Sequence, residues 1–134
     1  MKKNEDDKKS LIQTVNLKKY FNTPFGLLHA VDNISLSIDK GKTLGVVGES
    51  GCGKSTLGRT ILRLLPLTDG QVLFDGENIL DYDKEKMRMM RQKMQIIFQD
   101  PYASLNPRKT VFQIIAEPLI VNRIYDCRSE INER

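Results

Sequence analysis

Thr43-Leu44-Gly45-Val46-Val47-Gly48-Glu49-Ser50-Gly51-Cys52-Gly53-Lys54-Ser55-Thr56 is the stretch that decides the fold. It opens with an apolar run that lacks alternation, the pattern of a strand buried on both faces. From Gly48 it matches Gly, four residues, Gly-Lys-Ser/Thr, the phosphate-binding loop pattern. Beyond Lys54, the residues Leu57, Ile61, Leu64 and Leu65 fall at i, i+4, i+7 and i+8, one stripe of a helix, which Pro66 is expected to stop. Strand, Gly-rich loop and helix in this order predict an α/β fold with a P-loop core. A Gly-rich turn that merely happens to precede a helix would give no reason for the buried strand before it.

Each fixed position has a chemical purpose. The glycines let the backbone curl until successive N–H groups point at phosphate oxygens, and the helix beginning at Lys54 aims its positive end at the same place. Lys54 is placed for the β- and γ-phosphates of a nucleotide, and the Ser55 hydroxyl for the Mg²⁺ that bridges them, with Thr56 a less direct neighbour. Gly48, Glu49, Ser50, Gly51, Cys52, Gly53, Lys54, Ser55 and Thr56 are therefore the candidate nucleotide-binding residues. Cys52, near a helix N-terminus, has two readings: a thiol of lowered pKa whose alkylation blocks the loop, or the filler of a tolerant position.

Upstream, Leu11 to Leu17 reads as a strand, Asn22 to Gly26 carries turn residues, and Ile34-Ser35-Leu36-Ser37-Ile38 alternates with period two, a strand with one face buried. This section is antiparallel in character, and Asp39 to Lys42 turns it into the apolar run. Downstream, Gln71 to Phe74 and Ile79-Leu80 flank Asp75-Gly76 as a short hairpin. A charged helix is expected from about Lys84 to Lys93, and a second doubly buried strand over Met94 to Phe98. Thr110 and Gln113 match a capping box for a helix with Val111, Ile114 and Ile115 on its apolar face, which Pro118 should kink or end.

Other features take plainer readings. Val72-Leu73-Phe74-Asp75 has the shape of a metal-holding strand end, but Gly76 makes it a hairpin turn. His29 fits a strand surface. Met87, Met89, Met90 and Met94 suit adaptable packing, and the basic run Lys84, Lys86, Arg88, Arg91, Lys93 suits a solvated helix face. Lys plus Arg number 21 and Asp plus Glu 17, so the net charge across 134 residues is only +4. No aromatic-basic interleaving accompanies it, and a nucleic-acid partner is not expected. At 40% hydrophobic and 28% charged, the composition excludes a disordered or collagen-like chain. Cys52 and Cys127, with no ligand spacing around them, read as reduced thiols. No apolar stretch approaches the roughly 20 residues of a membrane-spanning helix, and Met1 to Lys9 has no apolar centre of a secretion signal.

Taken together, an aromatic at Tyr20-Phe21, then Val46 to Thr56, then Gln99 after an apolar run resemble the ATP-binding subunit of an ABC transporter. Met94 to Arg108, Met-Gln-Ile-Ile-Phe-Gln-Asp-Pro-Tyr-Ala-Ser-Leu-Asn-Pro-Arg, continued by Ile114 to Leu119, is similar to the dipeptide and oligopeptide importer branch. The resemblance implies a solvated tail over 1–10, an antiparallel β-subdomain over 11–42, the P-loop core through the Q-loop over 43–107, and the start of a helical subdomain over 108–134. It implies ATP and Mg²⁺ as cofactors. It makes Gln99 the Q-loop glutamine, touching the Mg²⁺ shell and the attacking water while its loop meets a membrane permease, and makes Phe21 or Tyr20 the ring that stacks on adenine, Phe21 slightly favoured. The implied partners are permease subunits and a second ATP-binding subunit, and the implied location is the cytoplasmic face of the cell membrane.

The sequence also departs from that family. It holds no Leu-Ser-Gly-Gly-Gln-type signature, no apolar strand ending in Asp-Glu and no switch histidine, so an incomplete nucleotide-binding domain that binds ATP without turnover is expected. The alternatives are a non-catalytic half-domain acting as an interaction module and a different P-loop kinase or NTPase. The second leaves the stretch 94–108 unexplained.

Overall fold

The computed structural model describes residues 10–100, 102 and 104–122. The tail expected over 1–10, apart from Ser10, lies outside the described residues, as do Cys127 and the part of 108–134 beyond Asn122. The chain forms two compact units, the first running to Tyr82 and the second beginning at Asp83.

Two long strands dominate the first unit: β1 (Ser10–Thr23) and β2 (Gly26–Asp39). They pair antiparallel, with Tyr20 opposite His29 and Phe21 opposite Leu28. Both run well past the apolar patches that predicted them: the ladder has register irregularities between Ser10 and Tyr20, and from the Tyr20–His29 pair it runs regularly to the turn between Thr23 and Gly26. β3 (Asp69–Phe74) joins the other side of β1, and β4 (Glu77–Asn78) closes an antiparallel sheet of order β2-β1-β3-β4. Asp75 and Gly76, with φ of 52° and 88°, form the expected hairpin turn. The Asp75 carboxylate pairs with Lys40 at 3.1 Å. Ile79 and Leu80, expected in the returning strand, instead enter a 3-10 turn, Ile79–Asp81. Leu17, Val31, Val72, Ile79 and Tyr82 are the buried apolar residues of this unit. Thr14, also buried, bridges β1 and β2 by donating to the Ile34 carbonyl and accepting from the Leu36 N–H.

Helix α1 (Lys54–Ile61) is shorter than its apolar stripe predicts. Arg63 ends it, not Pro66. Arg63 takes a left-handed φ of 52°, its N–H donates to the Thr60 carbonyl, and the Leu64 N–H reaches back to the Arg59 carbonyl. That is the Schellman closure, built here on an arginine. The Arg63 guanidinium donates to the carbonyls of Ile79 and Tyr82, each at 2.9 Å, which holds the unusual backbone in place.

In the second unit, α2 (Lys84–Lys93) has the predicted limits, with Asp83 accepting from the Lys86 N–H as its N-cap. Met87, Met90 and Met94 are buried and Lys84, Lys86, Arg91 and Lys93 exposed, as a packing face and a solvated face require, but Met89 is exposed rather than packed and Arg88 is half-buried, paired with Glu85. Helix α3 (Val111–Val121) carries the full Thr110–Gln113 capping box. It runs through Pro118. The proline stands one turn from the helix end, so it forfeits a single intrahelical bond, and Asn122 closes the last turn by donating from backbone and side chain to the Pro118 carbonyl. The apolar face is shifted from the expected one: Ala116 is buried, and Val111 and Ile115 are exposed.

The two doubly buried strands expected over Thr43 to Val47 and Met94 to Phe98 are not found. Neither segment joins the sheet, and Val47 and Ile97 are 94% and 90% exposed. A parallel strand needs hydrogen-bonding neighbours on its edges and helices on its faces. The described residues supply neither to these two segments.

Candidate functional site

The phosphate loop lies between Val47 and α1. Its positive-φ glycines are Gly51 and Gly53, and Gly53 is the N-cap of α1 with φ of 93°. A Cβ at Gly53 would stand 2.1 Å from the Ala30 carbonyl oxygen of β2, so only glycine lets the loop seat against the sheet's edge strand. The loop folds around its own lysine. Lys54 Nζ donates to the Gly48 carbonyl at 2.8 Å and the Glu49 carbonyl at 2.6 Å, and lies 3.6 Å from Cys52 Sγ.

The start of α1 is electrostatically open. The first N–H groups of a helix have no intrahelical acceptor, and here no side chain caps them and no acidic residue stands in the first turn. An anion is what such a set of donors lacks, and Lys54 adds a full positive charge beside it. Ser55 is exposed at the same turn. Among the described residues no cluster of His, Cys, Asp and Glu could hold a metal by itself. The hard oxygen donor exposed at this turn is the Ser55 hydroxyl, and Mg²⁺ is usually carried by one or two protein oxygens together with substrate phosphates.

A cavity of about 330 Å³ joins this loop to β2. Cys52, Gly53 and Lys54 line one side, and His29, Val31 and Asp32 the other. Neither aromatic of the predicted pair lines it. The Tyr20 ring stacks on His29, with centroids 3.9 Å apart and planes at 16°, and its hydroxyl donates to Asp32. Phe21 has the Lys19 ammonium over its ring at 4.7 Å. The bond from Tyr20 holds the Asp32 carboxyl below its ordinary value, and the same bond raises the Tyr20 phenol. Nearby, the Lys18 ammonium at 3.0 Å lowers Asp69 and is itself raised.

Gln99 belongs to the second unit, where it is exposed beyond the segment 94–98. A larger cavity of about 590 Å³ in that unit follows α3 and is lined by no residue of the motif. His29 takes the strand-surface position read for it, half exposed on β2; what the sequence reading did not place is Asp32 and His29 beside the loop. The i, i+3 spacing of a histidine and an aspartate was visible, but their place beside the loop arises from the long-range seating of Gly53 on Ala30.

Among the described residues no helix is long and apolar enough to cross a membrane. The model of the ABC transporter family matches residues 31–133. Among curated proteins, the oligopeptide transport ATP-binding protein OppF of Bacillus subtilis is 53% identical over 125 residues, 92% of this chain and 41% of that protein. The dipeptide transport ATP-binding protein DppF of Escherichia coli is 47% identical over 118 residues, 84% of this chain and 35% of that protein. A solved dimeric ATP-binding cassette, MJ0796, in a post-hydrolysis state bound to ADP and Pi, superposes with a TM-score of 0.77 at 27% identity, covering 91% of this chain and 53% of that one. The chain thus spans about two fifths of the length of these curated relatives and about half of the solved cassette. It has the P-loop cassette fold with an N-terminal antiparallel sheet, and it belongs to the ABC transporter family, in the branch of the OppF and DppF ATP-binding proteins.

Proposed function

We propose that this chain binds Mg-ATP at Gly48 to Thr56 as the nucleotide-binding part of an ATP-driven peptide importer. The observation that carries this is the uncapped start of α1 with the Lys54 ammonium set among the loop carbonyls. On binding, the loop N–H groups and Lys54 take the β- and γ-phosphate oxygens, Lys54 exchanging the Gly48 and Glu49 carbonyls for them. Ser55 holds Mg²⁺, which when bound neutralises developing phosphate charge. An aromatic at the end of β1, Phe21 or Tyr20, belongs to the base end of the site. Gln99, through its loop, meets a permease; orienting an attacking water is the part it would take in a cassette that turns over.

The partners in this reading are permease subunits and a second ATP-binding subunit, at the cytoplasmic face of the membrane. It draws support from the transport proteins that the chain resembles and from the dimeric cassette of similar fold. The 134 residues hold the loop and Gln99 without a signature or an Asp-Glu strand, so binding without turnover is the activity proposed for them. Two measurements on the chain test this. Mg-ATP at a hundredfold excess over Kd should stabilise the fold by about 2.7 kcal/mol, and phosphate release should equal that of Lys54→Ala. An unmoved melting curve contradicts the binding, and release well above the variant contradicts the absence of turnover.

A further inference from the structure

Helix α1 carries the loop's donors on its first turn, yet little of it is packed. Of its eight residues only Thr60 is buried, and the Thr60 hydroxyl donates to the Thr56 carbonyl within the helix itself. A helix this short has little stability of its own, since isolated helices under about 12 to 15 residues are marginal in water. Its direction therefore depends on how its ends are held. At the N-terminal end Gly53 sits against the Ala30 carbonyl of β2. Beyond the other end Arg63 Nη1 donates to the carbonyls of Ile79 and Tyr82, each at 2.9 Å, and both of those residues are buried. Arginine is a strained choice there. Its φ of 52° is one that glycine adopts freely, and a glycine would close the helix with the same backbone bonds. What the arginine adds is the clamp, a charge-assisted pair of bonds to the 3-10 turn that follows β4. Backbone strain kept where a glycine would relieve it points to a task for the side chain.

Building on the nucleotide-binding reading above, we infer that Arg63 is a positioning residue of the phosphate site: by pinning the C-terminal end of α1 to the turn at Ile79 and Tyr82, it keeps the uncapped first-turn N–H groups and Lys54 aimed at one place. Helical rise puts Arg63 about 13 Å along the axis from Lys54. It touches no ligand and acts only through α1. The phosphate chain, rather than the base, is the part of the nucleotide that feels its loss.

The test measures the affinity of Mg-ATP, and of inorganic tripolyphosphate with Mg²⁺, for the chain and its Arg63→Gly, Arg63→Asn, Arg63→Lys, Thr14→Val and Lys54→Ala variants, each well below its own melting temperature. Glycine and asparagine accept the left-handed backbone but cannot reach the two carbonyls, whereas lysine keeps a long cationic donor. Arg63→Gly and Arg63→Asn should each weaken both ligands by about tenfold, within the range that misplacing a site's groups from a distance can cost. Arg63→Lys should recover most of that loss. Thr14→Val, which loses the bridge between β1 and β2 in the same unit, should bind both ligands as the unsubstituted chain does, and so separates aim from stability. Folded Arg63→Gly and Arg63→Asn that bind like the unsubstituted chain overturn the inference, as do an equal loss in Thr14→Val or an Arg63→Lys no better than Arg63→Gly. If one of the two clampless variants fails to fold, the other decides; if both fail, Arg63 holds the fold rather than the site and the inference falls. Failure of the loop reading looks different: the unsubstituted chain binds neither ligand, or Lys54→Ala binds both as well as it does.

Discussion

Two loop glycines show how narrowly the site is specified at the residue scale. Gly51 and Gly53 both have positive φ, but open space surrounds a Cβ at Gly51, whereas one at Gly53 meets the Ala30 carbonyl at 2.1 Å. Gly51→Ala should therefore cost only backbone strain, about 1 kcal/mol. Gly53→Ala adds a clash with an edge-strand carbonyl and should cost about 3 kcal/mol or more, the two being compared by urea unfolding. The charged cluster on β1 and β2 makes a pH prediction. Asp32 and Asp69 are lowered from 3.8 by hydrogen bonds from Tyr20 and Lys18. Their stabilisation is present above that value and is lost as pH falls through the lower folded-state values. Tyr20 and Lys18 are raised from 10.0 and 10.5, so their contribution is complete below those values and is lost as pH rises through the folded ones. Melting temperatures should be level from about pH 5 to 9 and fall on either side. Asp32→Asn should flatten the acid limb.

Among the elements, α3 offers the cleanest measurement. Thr110 accepts from the Gln113 N–H while the Gln113 side chain accepts from the Thr110 N–H, so Thr110→Ala removes one half of a reciprocal cap and should cost about 1 kcal/mol, with Thr110→Ser nearly neutral. This box, the limits of α2 and the Asp75-Gly76 turn were legible because each depends on residues within a few positions of one another. The end of α1 was not, because apolar periodicity continues through Leu64 while an arginine in left-handed conformation, held by carbonyls of Ile79 and Tyr82, stops the helix. The same limit explains the strands expected at 43–47 and 94–98. Their apolar runs are plain, but pairing is a property of distant segments, and no described residue pairs with them. In the site, the loop and Lys54 could be read directly. The approach of His29 and Asp32 could not, since it follows from how Gly53 packs on β2.

At the scale of the whole molecule, apolar surface stands out: among the described residues Val47, Ile97, Val111 and Ile115 are all more than half exposed, on segments from both units. Exposed apolar surface beyond scattered single residues favours association. Sedimentation of the chain should therefore show concentration-dependent self-association, reduced by Val47→Asp; a concentration-independent monomer would contradict this. The central claim is that Gly48 to Thr56 form a working nucleotide cradle around Lys54. Calorimetric titration with Mg-ATP tests it most directly. The account predicts a saturable isotherm of one ATP per chain whose affinity falls by about tenfold to a hundredfold in Lys54→Ala, as loss of a charge-assisted phosphate contact of about 1.5 to 3 kcal/mol implies. Equal binding by the chain and the variant, or none by either, would contradict it.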